Sequence, residues 1–134
     1  MTEKSIVGLV ERVEIRGRKS VKAMAIFDSG ARMNSIDVRL AAQAQVGPVV
    51  KTTRVSQASQ KGQIRRPVVK TRIMIKGREF ETLANIQDRE HMAFPVIIGR
   101  NIITGNFMID TKRNQGLYER MRKENYARRK QAQV

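Results

Sequence analysis

In Ala25-Ile26-Phe27-Asp28-Ser29-Gly30-Ala31 an apolar strand runs into an acid, a hydroxyl and a glycine. Each part has a physical job. The strand from Ala23 to Phe27 plants the acid at the edge of a core. Gly30 takes backbone angles closed to other residues, or lets another backbone come near. Ser29 offers a hydroxyl to tie down the turn. Taken alone, D-S-G is an ordinary turn capped by Asp28.

A second stretch changes that balance. Phe94-Pro95-Val96-Ile97-Ile98-Gly99-Arg100-Asn101-Ile102-Ile103 is an apolar strand, a glycine and a short helical turn. D-[ST]-G-A followed about seventy residues later by I-I-G-R-N-[IL]-[IL] resembles the retropepsin-like aspartic peptidases. In that family the second motif supports the loop that carries the catalytic acid. The match is closer to a small prokaryotic branch labelled ATP-dependent zinc protease. Ile36-Asp37-Val38-Arg39-Leu40-Ala41-Ala42, Arg65-Arg66-Pro67-Val68-Val69 and Asp88-Arg89-Glu90-His91-Met92 add to the likeness, which covers residues 5 to 110. The resemblance implies a closed β-barrel and, if the chain is a peptidase, Asp28, Ser29 and Gly30 as its catalytic loop. It speaks to fold more than to activity.

At 134 residues the chain is long enough for one domain with its own core. No apolar run is long enough to span a membrane, and the start, Met1-Thr2-Glu3-Lys4, shows no secretory signal. Cysteine is absent, so neither a disulfide framework nor a thiolate metal site is expected. A cytoplasmic location is the default expectation. Lys and Arg number 27 against 12 acids, a net charge of +15. Such an excess self-repels unless a polyanion balances it, and nucleic acid is the commonest partner of that kind.

The pattern along the chain is mainly β with one short helix. Ile6 to Ile15 and Val21 to Phe27 read as a hairpin turning at Arg16-Gly17-Arg18-Lys19. Ser35 to Gln45 reads as the helix, with Ser35 as N-cap, Asp37 in the first turn and Gly47-Pro48 as the stop. Val49 to Val55 and Ile64 to Ile75 are strands flanking the polar segment Ser56 to Gln63, which the resemblance places as the flap over substrate. Lys76-Gly77 turns into a strand from Arg78 to Ile86. Pro95 to Ile98 is a buried strand, Asn101 to Thr104 a helical turn ended by Gly105, and Phe107 to Ile109 a last strand. Seven or so short strands predict a closed, barrel-like sheet over residues 1–110. Residues 111–134 form a basic C-terminal extension.

From Lys112 onward eight basic residues face two acids. They are Lys112, Arg113, Arg120, Arg122, Lys123, Arg128, Arg129 and Lys130, with Tyr118 and Tyr126 on nearly one helix face. The tail is expected to be solvated, or to order on RNA with its cations on phosphates and its tyrosines on bases. Further cations lie in the barrel: Arg16, Arg18 and Lys19 at the first turn, and Arg65, Arg66, Lys70 and Arg72 beyond the flap. A strand face and a tail of this kind could make one basic track, or an ordinary solvated surface.

Two functions follow. The first, favoured by the charge, is an RNA-binding protein on a retropepsin-like scaffold, binding rRNA within a ribosomal subunit. The second is a homodimeric aspartic endopeptidase acting on acidic peptides. Its mechanism needs two carboxylates sharing a proton; only Asp28 sits in the right loop, so two chains are needed. Arg32 stands where retroviral relatives carry an acid, which removes the expected pairing with Arg100. His91, the one histidine, reads as a loop residue capping backbone carbonyls rather than as a zinc ligand with Glu90 and Asp88. With no glycine-rich phosphate loop, no cofactor is expected.

Overall fold

A computed structural model describes residues 3–56 and 63–132. The tip of the expected flap, residues 57–62, lies outside the described residues. Nine strands and three helices follow one another as β1 (Ser5–Val7), β2 (Val10–Arg16), β3 (Ser20–Phe27), β4 (Asn34–Asp37), α1 (Val38–Ala44), β5 (Val49–Ser56), β6 (Gln63–Ile75), β7 (Arg78–Gln87), β8 (Val96–Ile98), α2 (Arg100–Ile103), β9 (Phe107–Ile109) and α3 (Gln115–Ala132).

The main sheet runs β2-β3-β8-β4-β7-β6-β5, and β2 also pairs with β6. That extra pairing, Glu14 to Met74 through Arg16 to Arg72, closes six strands into a barrel and leaves β5 as an appended edge. The period of two puts Val13 and Ile15 of β2, Ala25 and Phe27 of β3, Ile73 and Ile75 of β6, and Val96 and Ile98 of β8 inside. Phe27 meets the Phe107 ring edge-on at 5.8 Å. Each such large side chain, fully buried, stabilises by about 1.5–3 kcal/mol.

The single strand expected over Ile6 to Ile15 is broken in two. A Cβ at Gly8 would lie 2.5 Å from the Arg113 carbonyl oxygen, so the chain after β9 packs against backbone there. β1 then leaves the barrel and pairs in parallel with β9. The helix also starts later than expected. Residues 34–37 bridge β7 and β8 as a strand, and the Ser35 hydroxyl donates to Asn85 Oδ1 at 2.8 Å. Asp37 is the N-cap instead, accepting from Arg39 N–H at 3.0 Å. Lys76 and Gly77, both at positive φ, make the tight turn between β6 and β7.

The basic extension is a docked helix. Asn114 Nδ2 donates to the Val10 carbonyl at 2.8 Å, Tyr118 stacks on Phe94 at 5.6 Å and 8°, and Asn125 Nδ2 donates to the His91 carbonyl at 3.3 Å. No residue of α3 is buried; half-buried Leu117, Tyr118, Met121 and Asn125 form one narrow stripe. Arg129 and Lys130 lie in its last turn, where the helix dipole favours cations.

Candidate active site

Asp28 stands at the end of β3, with its N–H donating to the Ile98 carbonyl at 2.9 Å. Its Oδ1 accepts the Gly30 N–H at 2.8 Å, so the acid ties its own turn. Ser29 Oγ, expected to do this, makes no hydrogen bond among the described residues. Asp28, Ser29 and Gly30 are all exposed, which leaves the carboxylate open to a partner or substrate.

The loop is braced from below by the second motif. Arg100 donates its backbone N–H to Ala31 O at 2.8 Å and its Nη1 to Ser29 O at 3.1 Å. Arg100 thus holds the loop through carbonyl oxygens, which needs no acid at position 32. A Cβ on Gly99 would come within 2.7 Å of Met33 backbone atoms, so only glycine permits this approach. Beneath it, fully buried Asn34 accepts from Gly99 N–H at 2.9 Å. Asn34 also donates to Thr82 Oγ1 at 2.9 Å and Leu83 O at 3.1 Å. Asn101 Nδ2 reaches the same two oxygens. Asn34 and Thr82 escaped the sequence reading. The residue types gave little signal, since Asn34 lies among the polar neighbours Ser35 and Asp37 in β4.

The other acids weighed with Asp28 have occupations of their own. Asp37 takes the Arg39 guanidinium at 2.7 Å and the Arg89 N–H at 2.8 Å. Asp110 caps the turn at Lys112 N–H. Asp88 Oδ1 accepts from Arg39 Nη2 at 2.7 Å, and Glu90 lies 3.8 Å from the same guanidinium. Asp88 and Glu90 therefore face a cation. The Arg39 hydrogen bond holds the Asp88 carboxyl below the usual carboxylate range, helped by the Glu90 N–H. Because the folded state lowers this value, the contribution to stability is complete above about pH 4. It disappears as pH falls through the lowered value. In Arg39→Gln, the Asp88 titration followed by carbon NMR should move up towards the ordinary range.

Arg89 is buried at 8% exposure, with Nε on the Phe94 carbonyl at 2.8 Å. Its terminal nitrogens have no hydrogen-bond acceptor among the described residues. Burial pulls its value below that of an ordinary guanidinium; Asp37 and Asp28 oppose this and Arg66 adds to it. Arg89 stays charged at neutral pH, within electrostatic reach of Asp28.

The predicted RNA-contacting cations differ in their surroundings. Arg16 sits between Glu79 at 2.8 Å and Glu14 at 3.4 Å, with its guanidinium value raised chiefly by Glu79. Arg72 donates to Gly17 O, Arg65 to Thr52 Oγ1 and Arg113 to Ile6 O. Arg120 lies 4.0 Å from Glu124. Tyr118 is spent on Phe94, with Arg122 over its ring at 5.7 Å, and Lys130 lies over Tyr126 at 5.6 Å. Arg18, Lys19 and Lys70 are exposed, Arg66 half-buried, and Lys112, Lys123, Arg128 and Arg129 exposed along the extension. The turn at Arg16 lies at one end of β2, and the α3 anchor at Val10 lies at the other. A strand of that length, about 20 Å, separates the two groups.

A closed barrel with one D-S-G loop, buttressed by a glycine-arginine turn, is the retropepsin-like arrangement, and solved structures agree. The chain is similar to EIAV protease bound to an inhibitor, at TM-score 0.59 and 18% identity over 75% of this chain and 91% of that one. It is similar to Lpg0085 of Legionella pneumophila, a protein of unknown function, at TM-score 0.58 and 19% identity over 82% and 95%. It also resembles simian foamy virus (mac) protease, at 0.52 and 16% over 69% and 88%. Identities this low carry the fold alone. The chain belongs to the RimB-like family, described as retropepsin-like aspartic endopeptidase RimB, whose sequence profile matches residues 39–117. That match begins beyond the Asp28 loop, and the zinc-protease label is not among these findings. Against curated protein sequences the chain finds no match. Membership of this family overturns the expectation of a ribosomal RNA-binding protein, which rested on net charge, the basic tail with its tyrosines and the cationic strand face. Charge reports the sign of a partner and cannot distinguish a nucleic acid from an acidic polypeptide. No helix among the described residues is long and apolar enough to cross a membrane.

Proposed function

We propose that this chain is an aspartic endopeptidase that acts as a homodimer, with Asp28 of each protomer forming one half of the catalytic pair. The observation that carries this reading is the division of labour among the carboxylates. Asp37, Asp88 and Asp110 are committed to caps and cations, while Asp28 is exposed on a braced loop. One chain supplies one such acid, so a second chain must supply the other. Two carboxylates held together share one proton. The ionised one takes a proton from water as that water attacks the scissile carbonyl. The protonated one hydrogen-bonds to the carbonyl oxygen and later returns a proton to the leaving amine.

The substrate side is acidic. The net charge of +15 raises the local concentration of anionic peptides. Supporting this, buried Arg89, whose guanidinium feels the Asp28 charge, has terminal nitrogens without an acceptor among the described residues. A substrate carboxylate paired with such a guanidinium makes a charge-assisted, fork-like contact. In sedimentation velocity the purified protein should shift from monomer to dimer as concentration rises. Cleavage of a Glu- or Asp-containing peptide should rise with the dimer fraction and exceed that of its Gln/Asn counterpart. A protein that stays monomeric and inert at high concentration overturns the reading.

A further inference from the structure

A broad cleft lies away from Asp28. It holds about 1390 Å³ and opens between the β2–β3 turn, the loop after α1 and the outer face of β6 and β7. Small-molecule pockets span about 300–1,000 Å³, so this one suits a stretch of polypeptide better. Its lining is cationic: Arg16, Arg18, Lys70 and Arg72 against Glu81. Arg16 is neutralised by Glu14 and Glu79. The side chains of Arg18 and Lys70 have no hydrogen-bond or salt-bridge partner among the described residues.

One feature makes this more than a solvated face. The turn that carries Arg18 is fixed. A Cβ at Gly17 would come within 2.3 Å of the Ala44 carbonyl oxygen, and Arg18 and Lys19 donate their N–H groups to Gln45 O and Ala44 O. The cations are therefore presented on a rigid rim.

From these observations we infer that the cleft is a docking site for an acidic polypeptide segment, separate from the Asp28 loop. β3 joins the two places, with the cleft turn before Ser20 and Asp28 just after Phe27. At about 3.3 Å per residue that strand covers roughly 23 Å. Seven or so extended residues would be needed to bridge them, so the cleft holds a part of a partner well away from any scissile bond. A polypeptide fits better than a nucleic acid, because the cleft lining contains no aromatic side chain on which a base could stack. Glu81 in the lining and Glu79 at Arg16 would repel a continuous phosphate chain more than spaced carboxylates.

The inference does not depend on peptidase activity and is tested by binding. The probe is a fluorescein-labelled peptide of alternating aspartate and glycine, titrated by anisotropy at low salt into the full-length chain carrying Asp28→Asn. Adding Arg18→Glu and Lys70→Glu should weaken binding about tenfold or more and flatten its salt dependence. Adding Arg128→Glu and Arg129→Glu on α3 changes the net charge equally and should leave affinity within about twofold. Equal losses from both pairs would mean attraction by net charge alone and overturn the site. So would unchanged affinity in the cleft variant. Cleft-dependent binding of a single-stranded RNA oligonucleotide as tight as that of the peptide would overturn the assigned ligand.

Discussion

Asp28→Asn should abolish peptide cleavage while leaving the fold and the dimer intact. The amide keeps the shape of the side chain and its oxygen still accepts the Gly30 N–H, so the turn survives. The pair loses its base, because an amide cannot take a proton from water at any working pH. General acid–base catalysis contributes about 10²–10⁴ in rate, so cleavage should fall by at least that factor. Unchanged circular dichroism and sedimentation would place the loss in the chemistry. A variant that retains more than a tenth of wild-type activity would remove Asp28 from the reaction. Mixing wild-type and variant chains adds a second check. Heterodimers carry one acid, so activity should drop out of proportion to the added variant.

The second large effect belongs to a fully buried residue beneath the loop. Asn34→Ala removes one acceptor and two donor contacts from a fully buried position. Asn101 still serves Thr82 and Leu83, but the Gly99 N–H is left inside the protein without an acceptor. Such an orphan costs about 1–3 kcal/mol, and the other lost bonds bring the total to about 2–4 kcal/mol. In a chain of this size that lowers the melting temperature by roughly 10 °C. Gly99 and Arg100 hold Ala31 and Ser29, so the Asp28 loop should loosen too. The expected kinetic result is a kcat reduced about tenfold with a smaller change in KM. Asn101→Ala, at an exposed position, should cost about 1 kcal/mol. A melting temperature for Asn34→Ala equal to that of the wild type would show that the braces act independently.

The loop and its support were legible in the residue order because each is local. An apolar strand followed by D-S-G-A, and another followed by G-R-N, specify strand ends and turns through sequence neighbours. The hairpin at Gly17, the strand boundaries of β6 and β7, and the turn at Lys76-Gly77 are legible for the same reason. The start of α1 was misplaced because Ser35 and Asp37 are both good caps. Only the pairing of β4 with β7 and β8, distant in sequence, draws Ser35 into a strand and leaves Asp37 at the helix end.

Composition misled where it was asked for more than sign. Twenty-seven cations pointed towards RNA, yet Arg16, Arg39 and Arg120 are paired with acids and Arg100 braces the acid loop. The tail illustrates the same limit. It has no broad apolar stripe, so its docking could not be read from periodicity. A stack on Phe94 and side-chain amides on two carbonyls hold it instead.

By itself, the residue order determined a β-rich chain, the position of its acid loop and the glycine-arginine turn that serves it, since these depend on backbone preferences and near neighbours. Tertiary structure alone decided that Asn34 lies under Gly99, that Arg89 is buried with its Nε on the Phe94 carbonyl, and that Arg16 and Arg72 meet across the barrel seam. Those relations join residues tens of positions apart. They come into being only when strand closure brings the residues together and burial determines which polar groups must find partners.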